Sequence, residues 1–283
     1  MNQNCIELIG VSKRYQSPTG DRWALRDINL KITQGEFVGI AGRNGSGKTT
    51  LARLLNGLVF PTAGNVLVNG MDTADRMYLS QVRSLVGMVF QNPENQIVSP
   101  IVEEDIAFGP ENLGISREEV SERVEHAIKV MGLEELRHHA PHLLSGGQKQ
   151  KVALAAVLAM QPTYLILDEP TSMLDQQANF ELVRQLKRLH REYGITIILI
   201  SHHMEDLTLA DRVIVLDNGC IQMDGHPRSV FQDIDVLERC GLRQPEIIQL
   251  AANLRKRGCQ LDQGIVNFEQ MVDEICQLLM LKV

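Results

Sequence analysis

Eight consecutive residues constrain this chain more than any others. Gly42-Arg43-Asn44-Gly45-Ser46-Gly47-Lys48-Thr49 fits the pattern G-x-x-x-x-G-K-[ST]. The run follows Glu36–Ala41, a short apolar stretch that reads as a buried strand, and it opens a helical pattern (TTLARLLNGL) that ends near Gly57. Strand, glycine-rich turn and helix in that order form an anion site. The glycines let successive backbone N–H groups turn inward around a polyphosphate, and the helix that follows directs its positive end at the same point. Lys48 adds a mobile charge for β- and γ-phosphates, and Thr49 a hydroxyl for Mg2+. A turn that merely joined strand to helix would need neither side chain. The expectation is a nucleotide held by Gly42, Asn44, Gly45, Ser46, Gly47, Lys48, Thr49 and Thr50.

A second segment extends that chemistry. Tyr164-Leu165-Ile166-Leu167-Asp168-Glu169 is an apolar strand that ends in two carboxylates. Taken alone, two acids at a strand tip could be simply solvated. Beside a phosphate loop, Asp168 reaches the Mg2+ shell and Glu169 can polarise an attacking water.

The rest of the pattern supplies an architecture. From Ile6 to about Ile32 the residues alternate and are β-branched, interrupted by the turn-rich Ser17–Asp21, which suggests antiparallel strands. Asn65–Asn69 and Val86–Phe90 read as further strands. From about Asn92 to Met160 the pattern is helical. There Ser116 is an N-cap candidate with Glu119 at the third helical position, and Val120, Val124, Ala127, Ile128 and Met131 form an apolar stripe. Tyr164–Leu167, Ile195–Ile200 and Arg212–Leu216 then alternate with a helix from about Gln176 to Tyr193, which predicts a parallel sheet covered on both faces. Beyond about Asp233 the tail is helical and amphipathic. The fold class is α/β: a P-loop NTPase (RecA-like) core with a parallel sheet, an N-terminal antiparallel β subdomain, an α-helical subdomain and a small C-terminal helical module. The expected division is an ATPase domain over 1–232, its helical subdomain about 92–160, and a helical extension over 233–283.

Composition removes other classes. A net charge of −7 lacks the overall footprint of a nucleic-acid binder. Five scattered cysteines without C-x-x-C spacing read as reduced thiols of a cytosolic protein. The N-terminal MNQNCIELIG has no basic start or long apolar run of a signal peptide. No apolar stretch approaches the roughly 18 residues of a membrane span.

Leu144-Ser145-Gly146-Gly147-Gln148 decides the family. With the phosphate loop and the acidic strand it resembles the signature of ATP-binding-cassette ATPases, and the resemblance runs from Ile6 to about Phe231. It implies that Tyr15 stacks on adenine and that Gln91 links the γ-phosphate and Mg2+ region to the helical subdomain. It also implies that Ser172-Met173-Leu174-Asp175 crosses between nucleotide sites, with Asp175 facing the other subunit, and that His202 is the switch histidine. Plainer readings exist: Tyr15 as a surface tyrosine, Gln91 in VFQNP as a turn cap, and His203 in place of His202. Ser201-His202-x-φ-[DE] after ITIILI favours His202. Lys151 stands where the family usually has arginine, which keeps the charge and loses the planar fork. Ser145–Gly147 precede a helix and form a second anion site, which in the family closes over the ATP of another subunit. With one phosphate loop and one signature, Ser145–Gln148 of this chain serve a partner's site, and the expected working unit has two cassettes.

The segment after Gln91 resembles one group in particular. Asn92–Val98 (NPENQIV) and Val102–Asn112 (VEEDIAFGPEN) look like the ATPases of prokaryotic energy-coupling-factor transporters, which serve vitamins and transition metals such as cobalt. QNPENQIV resembles the first of their paired cassettes, or the single cassette of cobalt-type systems. Glu103, Glu104 and Asp105 either complement a helix dipole or meet arginines of a membrane subunit. The implied partners are a second cassette, paralogous or identical, a transmembrane coupling subunit and a substrate-binding membrane subunit, with no nucleic acid. ATP and Mg2+ are the implied cofactors, and the implied location is the cytoplasmic face of a prokaryotic cell membrane, as a peripheral protein. An importer fed by a soluble binding protein would need the residues after Phe231 as a regulatory domain, for which they are short and helical. A DNA-repair cassette would need a long insertion where only about a hundred residues separate phosphate loop and signature.

Overall fold

The computed structural model describes residues 4–16 and 20–280, so Ser17, Pro18 and Thr19 of the expected turn and the last three residues of the tail lie outside it. Strands β1 (Cys5–Tyr15) and β2 (Arg22–Thr33) pair antiparallel, as the alternation requires. β3 (Phe37–Ala41) leads to helix α1 (Lys48–Leu55). β4 (Ala63–Val68) and the short β5 (Met71–Asp72) complete a four-stranded sheet ordered β2-β1-β4-β5. Helix α2 (Leu79–Leu85) then precedes β6 (Val86–Val89).

The helical segment comprises α3 (Val102–Asn112), α4 (Arg117–Met131) and α5 (Gly146–Ala159). Ser116 caps α4 by accepting from the Glu119 N–H at 3.2 Å. The Glu119 side chain does not close the box; it pairs with Arg123 one turn on, at 2.5 Å.

β7 (Tyr164–Asp168), α6 (Gln176–Tyr193), β8 (Thr196–Ser201) and β9 (Arg212–Asp217) restore the alternation, and β10 (Cys220–Gly225) returns antiparallel to β9. The second sheet is ordered β10-β9-β3-β8-β7-β6, and β9 through β6 are parallel. Its inner strands are buried on both faces, which is why FVGIA, YLILD and TIILIS are almost wholly apolar. Period-two alternation sends their side chains to two different cores. Leu165, Leu167, Ile197 and Leu199 join the helical layer, whereas Tyr164, Ile166, Ile198 and Ile200 pack with α1 and the antiparallel sheet.

The chain ends with α7 (Pro227–Gln232), α8 (Ile234–Arg239), α9 (Glu246–Lys256) and α10 (Phe268–Met280). Leu237, Cys240, Leu242 and Ile248 belong to the core beneath the parallel sheet. Ala251, Leu261, Ile265 and Met271 form a separate small cluster. Among the described residues no helix is long and apolar enough to cross a membrane.

The strand order positions the site. β3, β8 and β7 are neighbours and parallel, so their C-terminal ends bring the phosphate loop, His202 and the two carboxylates to one edge. β6, next in order, adds Gln91 just past its end. Ligands of open parallel sheets bind at this edge.

Candidate active site

The phosphate loop needs its glycines for space. A Cβ on Gly42 would lie 2.4 Å from the Leu216 carbonyl and 2.5 Å from Ser46 Oγ. Gly47 has φ 112°, and a Cβ there would meet the Ala24 carbonyl at 2.5 Å. Lys48, 5% exposed, folds back across the loop. Its Nζ donates to the Gly42 carbonyl at 2.6 Å and the Arg43 carbonyl at 3.2 Å, and stands 3.4 Å from Glu169 Oε1. Ser46 Oγ is buried with no partner among the described residues, a polar group that suits a phosphate oxygen. A cavity of about 450 Å3 lies against the loop. Tyr15, Arg22, Ala24, Asn44, Gly45, Gly47, Lys48, Thr49, Thr50, Gln91 and Glu169 line it. Tyr15 therefore stands at the cavity and is partly exposed.

The carboxylates do different work. Asp168 accepts from the Thr49 hydroxyl at 3.2 Å. Burial pushes its pKa up and neighbouring Glu169 adds to that, while the Thr49 hydrogen bond, Arg53 and Lys48 oppose the rise. Glu169 is the centre of the site. Gln91 Nε2 donates to its Oε2 at 3.2 Å, and His202 Nδ1 lies 3.2 Å from the same oxygen. Glu169 sits at φ 49°, a left-handed conformation uncommon outside glycine, and its N–H donates to the Ile200 carbonyl at 2.9 Å. Of the two histidines, His202 is the one within hydrogen-bond distance of Glu169; the His203 ring packs on it, centroids 4.1 Å apart.

The remaining predicted residues lie elsewhere. Ser145 caps α5, accepting from the Gln148 N–H at 3.3 Å while Gln148 Oε1 accepts from the Ser145 N–H at 2.9 Å. None of Ser145, Gly146, Gly147 and Gln148 lines the cavity. Asp175 caps α6 by accepting from the Ala178 N–H at 2.9 Å.

The acidic patch is corrected at one residue. Asp105 is 4% exposed, and its Oδ1 accepts from the N–H groups of Val98 at 2.7 Å and Ser99 at 3.0 Å. It pins the preceding loop and presents no carboxylate to a partner. Glu103 is engaged within the chain by Arg137 at 3.1 Å and His138 at 3.5 Å, and Glu104 remains exposed. Sequence reasoning also missed the pair of Glu94 and Lys149, 2.5 Å apart, which ties the loop after Gln91 to the signature helix. Lys149 holds the Glu94 carboxyl below its ordinary range. No spacing rule joins residues so far apart in the chain.

The family described as ABC transporter matches residues 25–172, a span that takes in the phosphate loop, Gln91, the signature and both carboxylates. The energy-coupling factor transporter ATP-binding protein EcfA1 of Caldanaerobacter subterraneus subsp. tengcongensis is 52% identical over 89% of this chain and 91% of its own. The chain belongs to this family of ABC ATPases. The protein of the same name from Clostridium novyi is 47% identical over 98% of this chain and 100% of its own. Among solved structures, cbiO1 of Clostridium perfringens, described as part of the ABC transporter complex cbiONQ, is similar at TM-score 0.75 and 36% identity. That likeness covers 88% of this chain and 98% of cbiO1. A dimeric ATP-binding cassette with ADP and phosphate bound is similar at TM-score 0.72 and 32% identity, over 78% of this chain and 98% of its own. As an energy-coupling factor ATPase, the chain binds and hydrolyses ATP to drive import.

Proposed function

We propose that hydrolysis in this energy-coupling factor ATPase turns on Glu169 as the general base, with the nucleotide held by the loop Gly42–Thr49. One observation carries the reading: a single carboxylate has Lys48 at 3.4 Å, Gln91 at 3.2 Å and His202 at 3.2 Å. Tyr15 takes the adenine face, Asn44 and Thr50 complete the cradle, and Lys48 neutralises the β/γ-phosphates. Gln91 and His202 orient Glu169 and report on the γ-phosphate.

Mg2+ fits the donor set. Among the described residues no group of three or more His, Cys, Asp or Glu side chains could hold a metal unaided. The Thr49 hydroxyl and Asp168 carboxylate, 3.2 Å apart, are the pair of hard oxygen ligands that Mg2+ takes from protein when phosphates complete its shell, with Gln91 adjacent. When bound, the ion supplies charge neutralisation at the transferring phosphoryl oxygens.

The signature Ser145–Gln148 serves the site of a second cassette, paralogous or identical, and Asp175 lies at the crossing between the two. The chain is similar both to EcfA1 and to EcfA2 of Clostridium perfringens strain 13, at 46% and 44% identity, which supports a paired assembly. The further partners are a transmembrane coupling subunit, met in part by Glu104, and a membrane subunit that selects a vitamin or transition-metal ion. ATP as fuel and membrane subunits as partners support a peripheral position at the cytoplasmic face. Nucleic acid has no part in the scheme.

The test is Glu169→Gln. The variant should bind ATP and stay locked as a closed pair, with turnover lowered between about hundred- and ten-thousand-fold, the range of a lost general base. Normal turnover would remove Glu169 from the mechanism.

A further inference from the structure

Behind Glu169 and His202 lies another acid for which the hydrolytic scheme has no use. Asp206 sits in the 3-10 turn Met204–Leu209, four residues past His202, and is 4% exposed. Its Oδ2 accepts from the Thr171 hydroxyl at 2.7 Å and from the Ser201 hydroxyl at 2.8 Å. Both hydroxyls are buried as well. A carboxylate taken out of water is costly unless it is hydrogen-bonded. Among the described residues this one is satisfied by neutral hydroxyls with no cation paired to it.

The two hydroxyls come from the segments that carry the hydrolytic pair. Thr171 is two residues past Glu169, and Ser201 ends β8 immediately before His202. Ser201 Oγ also accepts from the His203 N–H at 3.0 Å, so the chain leaving β8 is fixed at the point where His202 projects. Glu169 occupies a left-handed conformation, φ 49°, that surrounding structure must hold in place. Asp206 anchors that turn from below and anchors the histidine segment with the same oxygen.

We infer that Asp206 is a positioning residue for hydrolysis: it clamps Thr171 to Ser201 and so sets the 3.2 Å contact of Glu169 with His202. The inference rests on Glu169 and His202 being the hydrolytic pair. Charge matters because hydrogen bonds to an ionised acceptor are about twice as strong as neutral ones. Asp206→Asn keeps the shape and weakens both.

The experiment measures kcat and KM for ATP in the full-length chain in its transporter assembly, beside thermal unfolding. Asp206→Asn should lower kcat between about ten- and hundred-fold, the cost of a misplacement near 1 Å, with KM for ATP changed less than about twofold because the phosphate loop is untouched. Thr171→Val should lower kcat in the same sense, and its effect should combine with that of Asp206→Asn less than multiplicatively, as for groups in one network. If Asp206→Asn does not fold, Thr171→Val carries the test by the same split of kcat and KM. A purely structural role would lower the unfolding midpoint and leave kcat per folded molecule at the wild-type value, and that result overturns the inference. Glu169→Gln serves as reference. Retained turnover there defeats the hydrolytic pair itself, whereas lost turnover there with wild-type kcat in Asp206→Asn defeats only the positioning role.

Discussion

Asp168 shows at the scale of one residue how function opposes stability. It is 4% exposed, its pKa is raised chiefly by burial, and its hydrogen-bond partner is the Thr49 hydroxyl. A carboxyl with a raised pKa in the folded state binds its proton more tightly there than in the unfolded chain. Stability is therefore lost as pH rises from the ordinary carboxylate range through the raised value. Asp168→Asn removes that charge, keeps an acceptor for Thr49, and should raise the unfolding midpoint of the nucleotide-free chain at neutral pH. A rise of about 2–4 °C corresponds to ~1 kcal/mol in a chain of this size. The same variant should lose ATPase activity, and a lower midpoint would show that the charge is a net stabiliser. Residues of this kind were legible in the sequence because chemistry demands fixed types at fixed spacing: Lys48 and Thr49 follow Gly47 directly, and Asp168 and Glu169 end an apolar strand. Asp206 and Asp105 were not legible as buried anchors, since each depends on hydroxyls or N–H groups brought to it by tertiary folding.

At the scale of the element, α3 divides the three acids of its first turn among three functions. Asp105 faces inward and satisfies two loop N–H groups, Glu103 is paired with Arg137, and Glu104 is exposed. Asp105→Ala removes the buried acceptor of both loop N–H groups and should destabilise the fold by about 1–3 kcal/mol, the worth of two lost hydrogen bonds, read as a lower midpoint. Glu104→Lys should leave the midpoint within about 1 °C, since surface substitutions are usually near neutral, and should reduce uptake in the assembled transporter without reducing ATPase activity. Unchanged uptake would remove Glu104 from the partner surface. The elements themselves followed their patterns closely: α6 spans Gln176–Tyr193 as its periodicity predicts, with Asp175 as cap. β10 was overlooked, although Asn218-Gly219 has the positive φ values of a tight hairpin turn, 49° and 78°, and Asn-Gly between apolar runs is a strong signal for one. α2 was missed for a different reason: of its seven residues only Val82 is buried, too little apolar surface to mark a period.

At the scale of the whole molecule, the helix starts of the phosphate loop and of the signature do not line the same cavity. α1 begins at the phosphate loop beside the cavity, while α5 begins at Ser145, capped and ready, with none of its first residues lining that cavity. The pair Glu94–Lys149 and the contact of Gln91 with Glu169 link the start of α5 to the Glu169 carboxylate through the loop after β6. The proposed completion of the site by a second cassette has a kinetic consequence. Turnover per chain should fall as the purified cassette is diluted, because association is second order while hydrolysis within the pair is not. Dilution through the dissociation constant should lower activity per chain in direct proportion to the fraction paired, and adding an inactive Glu169→Gln cassette at fixed concentration of the active one should change that activity by forming mixed pairs. Sedimentation or light scattering at the same concentrations gives the paired fraction independently. Activity per chain that stays constant across a range in which the pair has separated would mean that one cassette completes its own site, and Ser145–Gln148 would then have no place in hydrolysis.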